Sequence, residues 1–583
     1  MKKLLPLLVC LAAALAAAEQ ERAQVSGLRA EFRHGQTFLT WREPEPSASY
    51  RVYRATKPFT AVEQLTDAAL LATVREHSSL NLMVSIDRMA LSRVPREDAY
   101  VIPQRHFFVI ADGAAPLDDA TGLFVHTAKA DETAFYAVTA MYDGAEWRTL
   151  EDNVVAAGLA ERVEPVSAVA QNESGDYVHW TDHGGTAQYP AMAETPGGYF
   201  NFRVHGSRTG APRALIGVLH GALFQFNTPD RDRYAKLDGA EGDRAVRVAL
   251  DQPLLRGRIK GIDLEKLGLA SPTGGNAGGG GRMPSGWQGA ETRVLWTLDW
   301  VASRYPVDRD RYALRGESMG GMGSIAIAFN NPDRFAAFHS YVPVFGTEQG
   351  AGTGVAAMMR FNAYDAVKRS PGRDFPFIAV TAGRADHIVG WDDKVEFARF
   401  ANAQRLGFAF YWDAREHAYE NVAKYTPVWG EPNGKATIDL TRFSLRESYP
   451  AISNLSANDD LGTRNPLAVR PAERAPLDAP GMGELGGTIN GQADWGKVVD
   501  ESTRYEITLW LTDVSRYERA TADIIPRRSQ RFRPQPGTTC SYSVREGDKI
   551  VATGSAIVDM HGRVEINAVP LTRVGTRLMI EVR

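Results

Sequence analysis

Cysteine is nearly missing from this chain of 583 residues, which holds only Cys10 and Cys540. Cys10 lies in an N-terminal stretch that reads as a removable leader, so the mature chain has one thiol and no intramolecular disulfide. Its stability must come from apolar cores, and Cys540, in the alternating run Cys540-Ser541-Tyr542-Ser543-Val544, reads as a small buried hydrophobe. Also missing is any long basic run with interleaved aromatics, which excludes the electrostatic footprint of a nucleic-acid binder. A net charge of −4 adds no strong field of either sign. There is no His-Glu-x-x-His phrase and no pair of cysteine ligands, so the sequence offers no metal constellation and no cofactor is expected. Beyond the leader no apolar run is long enough for a membrane span, and no internal repeat of fixed period is visible.

What is there points to several exported domains. At about 150 residues per domain, a chain of this length calls for three or four units. Apolar residues at 44% and charged residues at 23% are ordinary for globular proteins. Lys2 and Lys3 precede an apolar run over residues 4–17, and Ala16-Ala17-Ala18 fits a small-x-small cleavage site, so residues 1–18 are expected to be a signal peptide and the protein secreted or periplasmic. From 25 to 165 short alternating strands such as Thr37-Phe38-Leu39-Thr40-Trp41 and Tyr50-Arg51-Val52-Tyr53 recur, and Ala134-Phe135-Tyr136-Ala137-Val138-Thr139-Ala140 runs into the turn Asp143-Gly144. With Trp41 early and Tyr136-Ala137-Val138 late, this segment resembles a fibronectin type III β-sandwich, with residues 76–117 read as an insertion. Residues 176–434 change pattern to buried apolar strands alternating with amphipathic helices, which predicts an α/β domain with a mainly parallel sheet. Ala214-Leu215-Ile216-Gly217-Val218-Leu219, Phe377-Ile378-Ala379-Val380 and Phe408-Ala409-Phe410-Tyr411-Trp412 are runs suited to strands buried on both faces. Val294, Leu298, Val301 and Tyr305 share one face of a helix. Residues 437–583 return to alternation, as in Tyr505-Glu506-Ile507-Thr508-Leu509-Trp510-Leu511, and read as a C-terminal β-rich domain closed by an edge or closing strand, Arg577-Leu578-Met579-Ile580-Glu581-Val582.

The chemistry is expected in the middle segment. Gly316-Glu317-Ser318-Met319-Gly320-Gly321 is a G-x-S-x-G pattern between the strand Tyr312-Ala313-Leu314 and an Ala-rich helical stretch. A nucleophile at such a turn needs a strained backbone, and the small Gly316 and Gly320 let the chain fold back, while the helix N-terminus favours developing negative charge on Ser318. A serine hydroxyl also needs a base oriented by a carboxylate, and this fold orders them Ser, acid, His. His417 follows the last apolar strand, which makes it the expected base. Asp386 ends Thr381-Ala382-Gly383-Arg384-Ala385-Asp386, directly after a strand, which makes it the expected acid; Asp392 and Asp393 compete, although their place suits helix capping equally. The oxyanion is expected to meet the backbone N–H of Met319 and a second donor from His220-Gly221-Ala222-Leu223, at Ala222 with Leu223 as the alternative, and His220 steadying the loop. The stretch Gly274-Gly275-Asn276-Ala277-Gly278-Gly279-Gly280-Gly281 lacks the Gly-Lys-Ser/Thr ending of a phosphate loop and reads as a surface loop bordering a substrate cleft with Trp287 and Gln288.

The His220-Gly221 loop, the phrase from Glu291-Thr292-Arg293 to Asp308-Arg309-Asp310-Arg311-Tyr312 and the Gly-Glu-Ser-Met-Gly-Gly elbow resemble the secreted esterase group that contains polyhydroxyalkanoate depolymerases, feruloyl esterases and acetylxylan esterases. That resemblance implies an α/β-hydrolase fold, no metal and an acyl-enzyme, with Ser318 as nucleophile, Asp386 as acid, His417 as base and oxyanion donors at Ala222 and Met319. The substrate implied is an ester, either polymeric-carbohydrate-linked acetyl or feruloyl, or a polyester. The flanking β-domains and the scarcity of cysteine depart from the group. Two other readings stand beside it. A serine peptidase resembling the prolyl oligopeptidase group would share the elbow and residue order, but those enzymes carry an N-terminal propeller where this chain has a short sandwich. A glycan-binding or adhesion protein would use the hydrolase unit as an inactive scaffold.

Overall fold

The structure, a computed structural model, describes residues 23–44, 48–81, 85–86, 100–101, 106–182, 184–192, 196–221, 241–250, 258–259, 262–263, 287–346, 361–386, 388–414, 417, 438–462, 480–481 and 483–582. The leader and the glycine-rich loop lie outside the described residues. Two compact units emerge, Met1–Asn201 with Leu255–Ser271, and Phe202–Leu254 with Pro272–Arg583.

In the first unit two antiparallel sheets share a core. Ser26–Arg33, Gln36–Arg42 and Thr121–Thr127 form one, and Ala145–Trp147, Glu132–Tyr142, Ser49–Ala55 and Leu70–Val74 lie side by side in the other. Period-two alternation sends Leu39, Trp41, Tyr50, Val52, Tyr136 and Val138 inward, where the Trp41 and Tyr50 rings meet edge to face at 5.3 Å. Asp143 and Gly144 both take positive φ, 50° and 81°, as a two-residue hairpin turn requires. Within the segment read as an insertion, Leu80–Asn81 pairs with His106–Phe107 and Ser85–Ile86 with Tyr100–Val101, the ladder of a hairpin. Asp176–Thr181 pairs with Val169–Ala170.

The second unit is built on β1 (Gly198–His205), β2 (Arg213–Leu219), β3 (Ala245–Leu250), β4 (Val307–Glu317), β5 (Ala337–Tyr341), β6 (Phe377–Gly383), β7 (Phe408–Asp413) and β8 (Gly487–Ile489), interleaved with α1 (Trp287–Arg304), α2 (Met319–Asn330), α3 (Ala363–Lys368) and α4 (Asp392–Ala403). Their order across the sheet is β1-β3-β2-β4-β5-β6-β7-β8. Pairing is parallel from β3 through β7 and antiparallel at β1/β3 and β7/β8. This is the mainly parallel α/β sheet that the apolar runs predict, since a parallel sheet must be covered on both faces. On one face Leu298 of α1 lies over Gly217 and Leu314, and Trp391 stacks on Phe410 beside α4. Val294, Leu298, Val301 and Tyr305 are all buried, as their helical spacing predicts.

The other face is covered by the segment after residue 437. Ile216, Val218, Ala313, Ala409 and Tyr411 pack in one cluster with Leu440, Phe443 and Tyr449, and the Phe443 ring stacks on Phe377 at 4.4 Å. Beyond it Tyr449–Ser453, Arg519–Arg527 and Ile566–Thr572 form one antiparallel sheet, and Ala493–Trp495, Arg504–Leu511, Thr576–Val582, Thr539–Glu546 and Lys549–Ile557 another. Both contribute to one core that includes Tyr505, Ile524, Cys540, Val569 and Leu578. Cys540 is fully buried, and burial pushes its thiol pKa up. The last strand is not an edge: Thr576–Val582 pairs on one side with Arg504–Leu511 and on the other with Thr539–Glu546. Alternation marks one buried face but is silent on how many neighbours a strand has. The guanidinium of Arg528 donates to the carbonyls of Pro332, Phe335 and Ala336 at 3.0, 2.8 and 3.1 Å, fastening this region to the approach to β5.

Candidate active site

Ser318 stands where β4 turns into α2, at φ 52° and ψ −113°. A non-glycine residue in that region stores on the order of 1–3 kcal/mol, so the surroundings must enforce it. The Ser318 N–H donates to the Tyr341 carbonyl at 2.8 Å, and the Ser318 carbonyl accepts from the Met322 N–H at 2.9 Å. The glycines of the motif are sterically required. A Cβ on Gly316 would lie 2.0 Å from the Gly320 carbonyl oxygen, and one on Gly320 would lie 2.1 Å from that of Leu219. Every residue of α2 from Met319 to Phe329 is buried, so the elbow is anchored in the middle of the unit.

The structure brings His417 and Asp386 to this serine. His417 Nε2 lies 2.8 Å from Ser318 Oγ, and its Nδ1 lies 2.7 Å from Asp386 Oδ2. The other carboxylate oxygen, Oδ1, accepts the N–H groups of Ile388 and Val389 at 2.9 and 3.1 Å, which fixes the rotation of the acid. Burial pushes the Asp386 carboxyl up, but the hydrogen bond and charge of His417, the charge of Lys394 and the Val389 N–H outweigh it and hold the pKa below its ordinary value. Asp386 is 1% exposed and His417 14%, so the carboxylate is sealed while the imidazole keeps an opening toward solvent. Parallel strands explain the convergence, because Ser318, Asp386 and His417 all follow C-terminal strand ends, where loops gather side chains from elements distant in sequence.

Met319, one expected oxyanion donor, is the first residue of α2, where helix N–H groups have no intrahelical acceptor. Ala222, the other, lies outside the described residues. His220 precedes it, with Nδ1 2.7 Å from the Gly221 carbonyl of its own loop. Trp287 and Gln288 stand on the first turn of α1, which begins earlier than the spacing of its apolar residues suggests; their side chains lie outside the described residues. Asp393 does not cap α4. Trp391 occupies the cap, and Asp393 instead accepts from the Phe345 N–H at 3.0 Å and pairs with Lys394 at 2.7 Å. A cavity of 590 Å³ lined by Phe377, Tyr411, Asp439, Phe443 and Trp495 lies elsewhere, near the strand starts, and none of Ser318, Asp386 and His417 lines it. Among the described residues no group of three His, Cys, Asp or Glu side chains is placed to hold a metal ion, and no described helix is long and apolar enough to cross a membrane.

Residues 296–431 match the family model described as Putative esterase. Ser318, Asp386 and His417 all fall inside that match. No curated protein matches the chain. Among solved structures, an S-formylglutathione hydrolase from Agrobacterium tumefaciens is 19% identical, covering 44% of this chain and 95% of that one at a TM-score of 0.32. A ferulic acid esterase from Anaeromyces mucronatus is 13% identical over 45% of this chain and 88% of that one at 0.28, and an acetyl xylan esterase from Aspergillus awamori 13% over 38% and 78% at 0.26. These likenesses do not extend to substrate.

Within the esterase-matching segment, several functional-looking side chains escape sequence reasoning. Lys394 is 1% exposed and donates to both Asp393 and the Val389 carbonyl, the latter at 3.1 Å, steadying the loop that carries Asp386. Burial raises the Asp393 carboxyl against the pull of Lys394. Three residues before the serine, Arg315 pairs with Glu241 at 2.6 Å, both 1% exposed, and Glu241 also accepts from the Leu440 N–H at 3.1 Å. An adjacent Asp-Lys pair on a helix carries no sequence signal of burial. A lone Glu 74 residues before its arginine carries none either.

Proposed function

We propose that this protein is a serine carboxylic ester hydrolase working through an acyl-enzyme on Ser318. The esterase family match supports the reaction class, and the observation that carries the residue roles is the continuous hydrogen-bonded line from Asp386 through His417 to Ser318, at 2.7 and 2.8 Å. In this reading His417 Nε2 takes the Ser318 proton as Oγ attacks the acyl carbon, and Asp386 holds the imidazole in register and balances its charge. The oxyanion is met by the Met319 N–H and a second donor at Ala222. Collapse breaks the ester bond and His417 returns the proton to the departing alcohol. Water activated by His417 then releases the acid and restores the serine. The acyl donor of this reading is a polysaccharide-linked acetyl or feruloyl ester or a polyester, met outside the cytoplasm after removal of residues 1–18, with the first unit as a fibronectin-type spacer.

The test is Ser318→Ala on the full chain, read with a chromogenic short-chain ester. The expected loss in kcat is a factor on the order of 10⁶ with thermal unfolding unchanged. Undiminished turnover by that variant overturns the reading, and preference for peptide over ester substrates reverses it in favour of a peptidase. A panel of acetylated, feruloylated and polyester substrates assigns the acyl group.

A further inference from the structure

The loop that carries Asp386 is gripped from outside by the chain that follows the α/β segment. Arg384, fully buried two residues before the acid, donates from Nη1 to the Leu461 carbonyl at 3.1 Å. Trp391 Nε1 donates to the same oxygen at 3.3 Å, and the Arg384 guanidinium lies over the Trp391 ring at 4.7 Å. One residue further, Arg399 of α4 donates to the Gly462 carbonyl at 3.0 Å. The gripped turn is itself rigid. Asp459 exchanges hydrogen bonds with Thr488 of β8 at 3.1 and 2.8 Å, and the Glu484 N–H closes on the Asp460 carbonyl at 2.8 Å. Glu484 in turn accepts from Trp412 Nε1 of β7 at 3.0 Å. The backbone completes the bracket, because the Arg384 N–H donates to Asp413, the end of β7 and four residues before His417, at 2.7 Å.

A buried guanidinium is costly to desolvate, and apolar packing of similar volume does as well for stability alone. What an arginine adds is a planar set of donors that fixes direction. His417 and Lys394 are the charges that bear most on the Asp386 carboxyl, and what Arg384 offers it is the placement of its loop. We propose that Arg384 is a positioning residue, which registers the Asp386 loop against the Leu461 carbonyl and so makes the C-terminal segment a working part of the active site. This rests on the esterase reading above.

The experiment measures, on the full chain, the rate at which a fluorophosphonate labels Ser318 and the kcat and KM for p-nitrophenyl acetate. A displacement of about 1 Å costs roughly 10²-fold in rate, so Arg384→Met is expected to slow labelling and kcat by about 10- to 100-fold with KM within about twofold. Arg384→Lys, which keeps a donor nitrogen but not the planar fork, recovers part of that loss. Trp391→Phe, which removes the indole donor and trims the ring while keeping an aromatic face, gives a smaller loss in the same direction and serves where Arg384→Met does not fold. Because Arg384 acts through the acid, Arg384→Met placed on Asp386→Asn adds little further loss. Labelling of Arg384→Met at the wild-type rate, or a full further loss on the Asp386→Asn background, overturns the inference. A wild-type protein that takes no label at Ser318 defeats the esterase reading itself, which keeps the two failures apart.

Discussion

Two buried carboxylates, Glu161 in the first unit and Asp386 in the second, are made of the same chemistry and placed for different ends. Glu161 is 0% exposed and all its acceptor capacity turns inward. Thr37 and Tyr136 donate to one oxygen, and Arg54 donates to the other through Nε at 3.1 Å and Nη2 at 2.5 Å. Arg54 is closed off in turn by Glu132 at 2.7 Å. The network ends on that ion pair, at a Glu132 side chain 33% exposed. Asp386 spends one oxygen on backbone N–H groups and the other on an imidazole whose far nitrogen reaches a strained serine at a helix start. Burial of a carboxylate is therefore no sign of chemistry by itself. What separates the two is whether the chain of hydrogen bonds ends on an ion pair or at a serine hydroxyl on a strained turn.

The largest expected effect breaks that comparison if it fails. Asp386→Asn should lower kcat for a chromogenic ester by about 10⁴ through the wrong imidazole tautomer, with little change in thermal unfolding. Glu161→Gln should do the reverse, leaving kcat within about twofold while costing about 1–3 kcal/mol of stability, because it removes one of the two carboxylates that pair with Arg54 and leaves only the half-buried Glu132. Steady-state kinetics and denaturant unfolding on both variants decide it. Equal kinetic losses, or equal stability losses, would dissolve the distinction.

A second, smaller effect sharpens it within the second unit. Arg315 and Glu241 are as buried as Asp386, and Arg315 stands only three residues before Ser318, yet their pair ends on the Leu440 N–H and not on Ser318, Asp386 or His417. Burial lowers the Arg315 guanidinium, and Glu241, Tyr341 and Asp439 together raise it more, so it stays charged and needs its partner. Arg315→Met is expected to cost about 3–5 kcal/mol in equilibrium unfolding, while fluorophosphonate labelling per folded molecule stays within about threefold. A hundredfold slower labelling at unchanged stability would place Arg315 with Asp386 and not with Glu161.

How much of this was legible in the sequence follows from what kind of information each feature needs. The elbow was legible, since a strand, two glycines around a serine and a helix are contiguous, and the geometry at Gly316 and Gly320 is a local steric matter. Asp386 and His417 could be named because strand ends recur in a fixed order in this architecture and each follows an apolar run. Strands β1, β3 and β5 were not singled out, because their apolar content is broken by residues such as Arg247, His339 and Ser340 that are accommodated only by tertiary contacts, as when His339 Nε2 meets Thr381 Oγ1 at 3.0 Å. The entry of Gly487–Ile489 into the sheet was invisible for a similar reason: three residues carry no periodicity, and their pairing with β7 is set by the fold around them. Glu241–Arg315, Lys394 and the Leu461 bracket belong to the same class, partnerships across many residues that leave no local pattern.

The smallest expected effect separates the two units by acidity. In the first unit burial pushes the His126 imidazole down to about 4, Glu161 opposing that shift and Arg54 adding to it. An unfolded histidine titrates near about 6.5, so between about 6.5 and 4 the unfolded chain binds the extra proton and the folded one does not. The stability that neutral His126 contributes is complete above pH about 6.5 and is lost as the pH falls toward about 4, a loss of about 3 kcal/mol. Asp386 behaves otherwise. Its folded pKa is depressed, so its contribution is complete above the unfolded carboxyl value near about 3.9 and disappears only as the pH falls below it. Thermal unfolding of the full chain followed from pH 7 to pH 3 should accordingly lose its slope between about 6.5 and 4 in His126→Gln, and only the part below about 4 in Asp386→Asn. A His126→Gln variant that keeps the wild-type slope through that window would mean that the imidazole is charged in the folded first unit, held by Glu161, and the contrast between a network ending on an ion pair and one ending on a serine would then have to be drawn without it.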